Sequence, residues 1–348
     1  MKKIFINAST SYNIIIEEDI FNILPSELNF IVPQGKIMLL SDDNVYNIYA
    51  DKIKKSLNSF KVFEYIIDHG ESSKNLETIS NILNYMGENS FTRSDIILAV
   101  GGGIIGDIAG FAASVYMRGI KFVQVPTTLL AMIDSSVGGK TGVNLKSGKN
   151  LAGAFHQPSL VLCGTDFLKT LPRDEFANGY AEIIKYGMIC SEFILNSLES
   201  DTFNFSDIIS KCIEIKKSFV EEDEFDTGNR QLLNFGHTVG HAIEKLSDFT
   251  ISHGKAVAVG MAVIAKAAVA EGEFSESEYM RLIKLIQKYK LPVKCDIDIS
   301  RIFKTITKDK KINKNEITLV TPVAWGKCKL NPMQINLAND YLMKGVSV

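Results

Sequence analysis

The sequence predicts an α/β N-terminal domain, Rossmann-like with a mostly parallel sheet, followed by an all-α C-terminal domain. Three observations carry this. Short apolar, β-branched runs alternate with helix-period stretches through the first half. From about residue 173 the periodicity is helical nearly to the end. Between the two lies Leu171-Pro172, a natural hinge, because proline disfavours helix in the residue before it. A length of 348 residues suits two domains, placed here at 1–171 and 172–348.

Taken in order, residues 36–41, 61–67, 95–100, 120–125 and 160–163 read as strands. Residues 45–57, 76–89 and 106–117 lie between them with helical spacing. Such alternation implies a sheet covered on both faces, with ligands beyond the carboxyl ends of its strands. The second half reads as helices at 173–190, 206–219, 236–246, 253–270 and 276–289. Ser206 suits an N-cap, with Asp207 in the first turn. Only 317–321 looks extended.

Composition narrows the function. Hydrophobic residues make up 46% and charged residues 22%, which is ordinary for a soluble globular protein. The net charge of -2 lacks the basic excess of a general nucleic-acid binder, yet leaves room for a small anionic substrate. Cys163, Cys190, Cys212, Cys295 and Cys328 are scattered and form no CxxC pair, so free thiols in a reducing compartment are expected. The opening MKKIFINAST is too short an apolar run for a signal peptide and is broken by Asn7. The most apolar segment, 256–270, contains Lys266, is shorter than a membrane span and reads as a buried helix. A cytoplasmic protein without membrane or nucleic-acid partners is expected.

The strand at 95–100 runs directly into Gly101-Gly102-Gly103-Ile104-Ile105-Gly106-Asp107 and then a helix. Glycines let the backbone approach a pyrophosphate, and a helix N-terminus offers unpaired N–H groups. The strand is not the first of its domain, and no acidic residue ends the next one, so this is not the ordinary Rossmann fingerprint. Asp42 and Asn44 follow the strand at 36–41, and Glu71 and Lys74 follow that at 61–67. Singly these read as caps or solvated loop residues; together on one sheet edge they form a dinucleotide cradle.

Of five histidines, three are His237, His241 and His253. His237 and His241 are four apart and share a helical face, so spacing alone makes both metal ligands. His253 would add another nitrogen, and Glu182 is the best carboxylate to complete the site. His69 and His156 lack such company and read as structural. Residues 126–158 are unusually rich in glycine and polar groups, among them Asp134, Lys140, Lys149 and Asn150. Arg118, Lys185, Lys216, Arg230 and Lys310-Lys311 add basic groups, although 308–314 reads as a solvated run. Lys185 shares a helical face with Glu182, and Arg230 and Asn234 precede His237 by about two turns and one turn if that helix extends back.

The ordered set GGGIIGDIAGF, YMRGIKFVQVPTTLLAMIDSSVGGKTGVN, GKNLAGAFHQP, GYAEIIKYG, LLNFGHTVGHAIE, SHGKAVAVGM and DKK resembles the sugar phosphate cyclase family, and within it the 3-dehydroquinate synthases, over nearly the whole chain. The resemblance implies a dehydroquinate synthase-like fold. It implies a Zn2+ or Co2+ ion on Glu182, His237 and His253, with His241 contacting substrate instead of metal. It implies NAD contacts at Asp42, Asn44, Glu71, Lys74, Gly102, Gly103, Ile104, Asp107, Thr127, Thr128, Asp134, Lys140 and Lys149. The implied substrate and catalytic residues are Asp134, Lys140, Asn150, Lys185, Lys216, Arg230, Asn234 and His241. Arg118 would serve the neighbouring subunit of a homodimer, and one lysine of Lys310-Lys311 would cover the phosphate. The family's HGEAV is HGKAV here, a charge reversal at Lys255 that leaves the ligand His253 intact.

The implied reaction turns 3-deoxy-D-arabino-heptulosonate 7-phosphate into 3-dehydroquinate and phosphate in the shikimate pathway. It runs by transient oxidation with NAD, phosphate elimination, reduction and an intramolecular aldol closure. Glycerol dehydrogenase-like polyol dehydrogenases resemble this plan but need no such phosphate and carboxylate set. 2-Deoxy-scyllo-inosose synthase differs in substrate, and Arg230 with Asn234 favours a carboxylated one.

Overall fold

The structure is a computed structural model describing residues 1–307 and 315–345. Lys310 and Lys311 therefore lie outside the described residues. In chain order the N-terminal part holds β1 (Lys2–Ile6), β2 (Tyr12–Glu17), α1 (Leu24–Ile31), β3 (Lys36–Asp42), α2 (Asp43–Ser56), β4 (Lys61–Ile67), α3 (Leu76–Glu88), β5 (Ile96–Gly101), α4 (Gly103–Val115), β6 (Lys121–Pro126), β7 (Lys140–Leu145), β8 (Gly148–Phe155) and β9 (Leu160–Gly164). There follow α5 (Arg173–Cys190), α6 (Glu192–Ser200), α7 (Phe205–Glu222), α8 (His237–Leu246), α9 (His253–Ala270), α10 (Glu276–Lys288), α11 (Ile299–Thr307), β10 (Glu316–Ala324), β11 (Lys327–Gln334) and α12 (Ile335–Lys344).

The chain divides into two compact units. The first comprises Met1–Pro172 and Phe205–Phe225; the second comprises Arg173–Asn204 and Asp226–Val348. Thus α7 belongs with the sheet, although its neighbours in sequence do not. Its apolar face of Ile208, Ile209, Cys212, Ile213 and Val220 is buried, and it packs on β1 and β2.

The first unit is built on a seven-stranded sheet of order β1-β2-β9-β6-β5-β3-β4. Only β1 runs antiparallel to its neighbour. β5 is buried at every residue, as a strand covered on both faces must be. Ile79, Ile82 and Met86 of α3, with Ile105, Ile108 and Ala112 of α4, pack on Met38, Ile97 and Phe122 of the sheet. β7 and β8 form a separate antiparallel hairpin within 126–158, the stretch whose glycines gave no strand signal.

The second unit is helical around α9, which is long and apolar enough to cross a membrane but is mostly buried as a core helix. A β10–β11 hairpin joins these helices. The sequence signalled part of β10 and nothing of β11, where Lys327, Lys329 and Pro332 break up the apolar pattern. All five cysteines are free.

Candidate active site

In the first unit the carboxyl ends of β3, β4, β5 and β6 lie side by side, since the four strands are parallel neighbours. Asp42 closes β3, and Glu71, Lys74, Gly102, Gly103, Thr127 and Thr128 follow the ends of the other three. Gly102 caps α4 with extended backbone, and among the described residues no side chain caps that helix N-terminus. Ile104 and Asp107 lie in its opening turns. The glycines serve close approach, since none of Gly101, Gly102, Gly103 and Gly106 has positive φ. A Cβ on Gly103 would sit 2.8 Å from Ser135 Oγ, and one on Gly106 would sit 2.6 Å from Gln124 Oε1.

Lys74 is buried, and its Nζ lies 2.5 Å from Asp107 Oδ2. Burial pushes the Asp107 carboxyl up, and the Lys74 ammonium opposes that. Asn144 of β7 donates from Nδ2 to Glu71 Oε1 (2.6 Å) and from its backbone N–H to the Lys74 carbonyl (2.9 Å). Asn150, at φ 53°, donates its N–H to Asn144 Oδ1 at 2.9 Å, and Lys149 Nζ lies 3.8 Å from Glu71 Oε1. Asn144 was not among the predicted site residues; its only sequence signal was membership of the polar, glycine-rich stretch.

Asp42 caps α2 by accepting the Val45 N–H (2.9 Å), and burial pushes its carboxyl up. Asn44 follows it in the first turn and donates its N–H to Asp43 Oδ1 at 3.1 Å. Thr128 Oγ1 accepts the Ala131 N–H at 3.1 Å. The hydroxyl of Thr127 is buried and has no hydrogen-bond partner among the described residues. Lys216 of α7 is ion-paired with Asp134 and donates to the Asp134 carbonyl at 2.7 Å. Lys140 opens β7 and is exposed, as is Arg118, whose φ is 69°. His69 pairs with Asp43 at the surface, and His156 stacks on Phe122.

The second unit gathers Glu182 from α5, His237 from α8 and His253 from α9. One potential ligand atom from each lies within 4.8 Å of the others. His237 Nε2 is 3.5 Å and His253 Nε2 is 3.4 Å from Glu182 Oε1. The opposite nitrogens are engaged elsewhere. His237 Nδ1 lies 3.2 Å from the Phe235 carbonyl, and His253 Nδ1 lies 3.2 Å from Glu244 Oε2. Both rings thus turn Nε2 towards one carboxylate. His241 stands beside them, 5.3 Å from His237 and 6.1 Å from His253 between ring centroids. Its ligand atom groups instead with Glu244 and His253. The i, i+4 spacing of His237 and His241 therefore does not place both against Glu182.

Burial pushes His237 down to about 3. Burial also pulls His253 down, but hydrogen bonds to Glu182 and Glu244 outweigh it and raise the group to about 10. Lys185, fully buried, pairs with Glu182 across one helical turn, and its Nζ lies 4.7 Å from the Tyr186 ring centroid. Arg230 is buried in the same unit and Asn234 is half-buried.

These two residues do not extend α8. They sit on a 3-10 turn, Asn229–Asn234, which Gly236 at φ 79° separates from α8. A Cβ on Gly236 would lie 2.6 Å from Met261 Cγ and 2.7 Å from the Val257 carbonyl oxygen, so the chain turns where α8 meets α9.

A parallel sheet with a glycine turn at its strand ends, continued into helices that gather one carboxylate and two imidazoles, defines a dehydroquinate synthase-like fold. Residues 64–178 match the 3-dehydroquinate synthase N-terminal family and residues 179–312 the 3-dehydroquinate synthase C-terminal family. The chain is 42% identical to a 3-dehydroquinate synthase of Alkaliphilus metalliredigens (strain QYMF), over 92% of this chain and 93% of that protein. It is 41% identical to one of Clostridium acetobutylicum, over 95% of this chain and 96% of that protein. A crystal structure of 2-deoxy-scyllo-inosose synthase complexed with carbaglucose-6-phosphate, NAD+ and Co2+ superposes with a TM-score of 0.87 at 28% identity, covering 99% of this chain and 100% of the other. The chain belongs to the 3-dehydroquinate synthase family.

Proposed function

We propose that the chain converts 3-deoxy-D-arabino-heptulosonate 7-phosphate into 3-dehydroquinate and phosphate, in the shikimate pathway that leads to chorismate and aromatic amino acids. The observation that carries this reading is the convergence of two Nε2 atoms on Glu182 Oε1 in a chain of this family. One carboxylate and two imidazole nitrogens suit Zn2+ or Co2+ and leave coordination positions for substrate. Glu182, His237 and His253 are the proposed ligands. NAD is supported by the uncapped N-terminus of α4 at Gly102 and by the buried, unpartnered Thr127 hydroxyl on the same strand edge. When bound, NAD supplies a hydride acceptor and donor, and the ion supplies a Lewis acid.

The chain's own residues bind and orient. Asp42, Asn44, Glu71, Lys74, Gly103, Asp107, Thr127 and Thr128 line the cofactor side, with Lys149 held near Glu71. Asp42 repels a 2′-phosphate, which favours NAD over NADP. Lys140, Asn150, Lys185, Lys216, Arg230 and Asn234 offer charge-assisted and amide hydrogen bonds to the substrate's phosphate and carboxylate. The Lys216 pair fixes Asp134, and Lys185 neutralises Glu182. His241 moves a proton at the substrate.

The protein acts in the cytoplasm as a homodimer in which Arg118 serves the neighbouring subunit. The test is a stoichiometry with catalytic NAD. Phosphate released over many turnovers without net NADH is the expected result. One NADH per turnover, or polyol oxidation without phosphate release, would move the chain to the dehydrogenases.

A further inference from the structure

Glu244 lies on α8, seven residues after His237, and is almost fully buried. A carboxylate that deep is costly unless a donor meets it. Its Oε2 lies 3.2 Å from His253 Nδ1. An ionised carboxylate only accepts, so Nδ1 carries the proton and Nε2 points towards Glu182. The two imidazoles are held differently. His237 leans on a backbone carbonyl two residues before it, which its own chain supplies. His253 opens α9, and the carboxylate beside its Nδ1 comes from another helix, α8.

We propose that Glu244 is the positioning residue of the metal centre. It fixes the tautomer and ring plane of His253, raises the basicity of Nε2, and so sets how tightly the ion is held. This rests on Glu182, His237 and His253 being the ligands. The competing geometry is Glu244 as a ligand itself, since its oxygen also lies within 4.8 Å of atoms of His241 and His253.

The experiment titrates the chelator-stripped protein with Co2+, reading stoichiometry, affinity and the visible Co2+ bands, with far-UV circular dichroism to verify folding. Wild type binds one ion, and His253→Ala loses it. Glu244→Ala holds Co2+ about 10–100-fold more weakly with altered bands. Glu244→Gln loses less, because its amide oxygen still accepts from Nδ1–H without the charge. His241→Ala keeps the ion. Wild-type affinity and bands in Glu244→Ala would overturn the proposal while leaving the ligand set standing. If that variant does not fold, Glu244→Gln decides, and unchanged Co2+ affinity in it overturns the proposal. Equal loss in Glu244→Ala and His241→Ala would overturn it too, making Glu244 a ligand. Failure of wild type to bind, or full occupancy in His253→Ala, would refute the ligand set itself.

Discussion

His237 and His253 face the same carboxylate oxygen, yet their surroundings treat the proton oppositely. Burial holds His237 down to about 3, whereas Glu182 and Glu244 hold His253 up to about 10 against burial. In the metal-stripped protein, the unfolded chain protonates His237 below its ordinary value of about 6.5 while the folded chain does not. Its contribution to stability therefore falls as pH drops from about 6.5 towards 3. The contribution of His253 is complete below about 6.5 and is lost as pH rises towards 10. Urea unfolding between about pH 6.5 and 5 should show a His237→Gln variant losing less stability than wild type, by at most about 1.4 kcal/mol per pH unit. Identical slopes would contradict a buried neutral imidazole.

His253→Ala should lose metal and activity together, while His241→Ala should slow phosphate release and retain the metal; metal analysis beside a phosphate assay separates them. At this scale the grouping of Glu182, His237 and His253 was legible, because scarce histidines stand out in a sequence. Glu244 and Asn144 were not, because nothing in a sequence distinguishes a carboxylate or amide that supports another side chain from one that is solvated.

Between elements, glycine sets how closely the helices carrying Glu182, His237 and His253 approach one another. A Cβ on Gly260 of α9 would lie 2.0 Å from the Gly236 carbonyl oxygen, and one on Gly240 would lie 3.1 Å from Val257 backbone atoms. On the α5 side, a Cβ on Gly254 would lie 2.4 Å from Asn178 Cα, and Asn178 Oδ1 accepts the Gly254 N–H at 3.1 Å. Side chains at these points would push α8 and α5 away from α9 and carry His237 and Glu182 away from His253. Gly260→Ala should therefore cost about 2 kcal/mol or more in stability and weaken Co2+ binding as well. A variant with unchanged urea midpoint and metal affinity would show that the helices can adjust.

Periodicity caught the span of α9, which is buried nearly all round, and most of α8, which buries one face. It could not reveal the break at Gly236, because a left-handed glycine just before a helix looks like any glycine. Arg230 and Asn234 accordingly sit on a 3-10 turn that Gly236 separates from α8.

At the scale of the whole chain, the sheet unit is incomplete at Pro172. It takes back Phe205–Phe225, whose helix covers β1 and β2 and delivers Lys216 to Asp134. The unit boundary after Pro172 was legible as local proline chemistry. The return of α7 was not, because its amphipathic period says only that one face is buried, never against which partner. A fragment of residues 1–172 should aggregate or bind hydrophobic dyes, whereas the same fragment with 205–225 fused through a flexible linker should unfold cooperatively in urea. A cooperative, soluble 1–172 fragment would show that α7 is dispensable to the sheet.

That routing also sets a timetable during synthesis. At roughly 5–20 residues per second, the strands leave the ribosome some seconds before the helix that must cover them. Meanwhile α5 emerges with Glu182, before either histidine it will face has been made. The nascent chain thus carries an uncovered strand pair and a ligandless carboxylate together. Translation speed from the end of β2 to the end of α7, as much as the finished contacts, sets how long the apolar surface of β2 stays open to neighbouring chains.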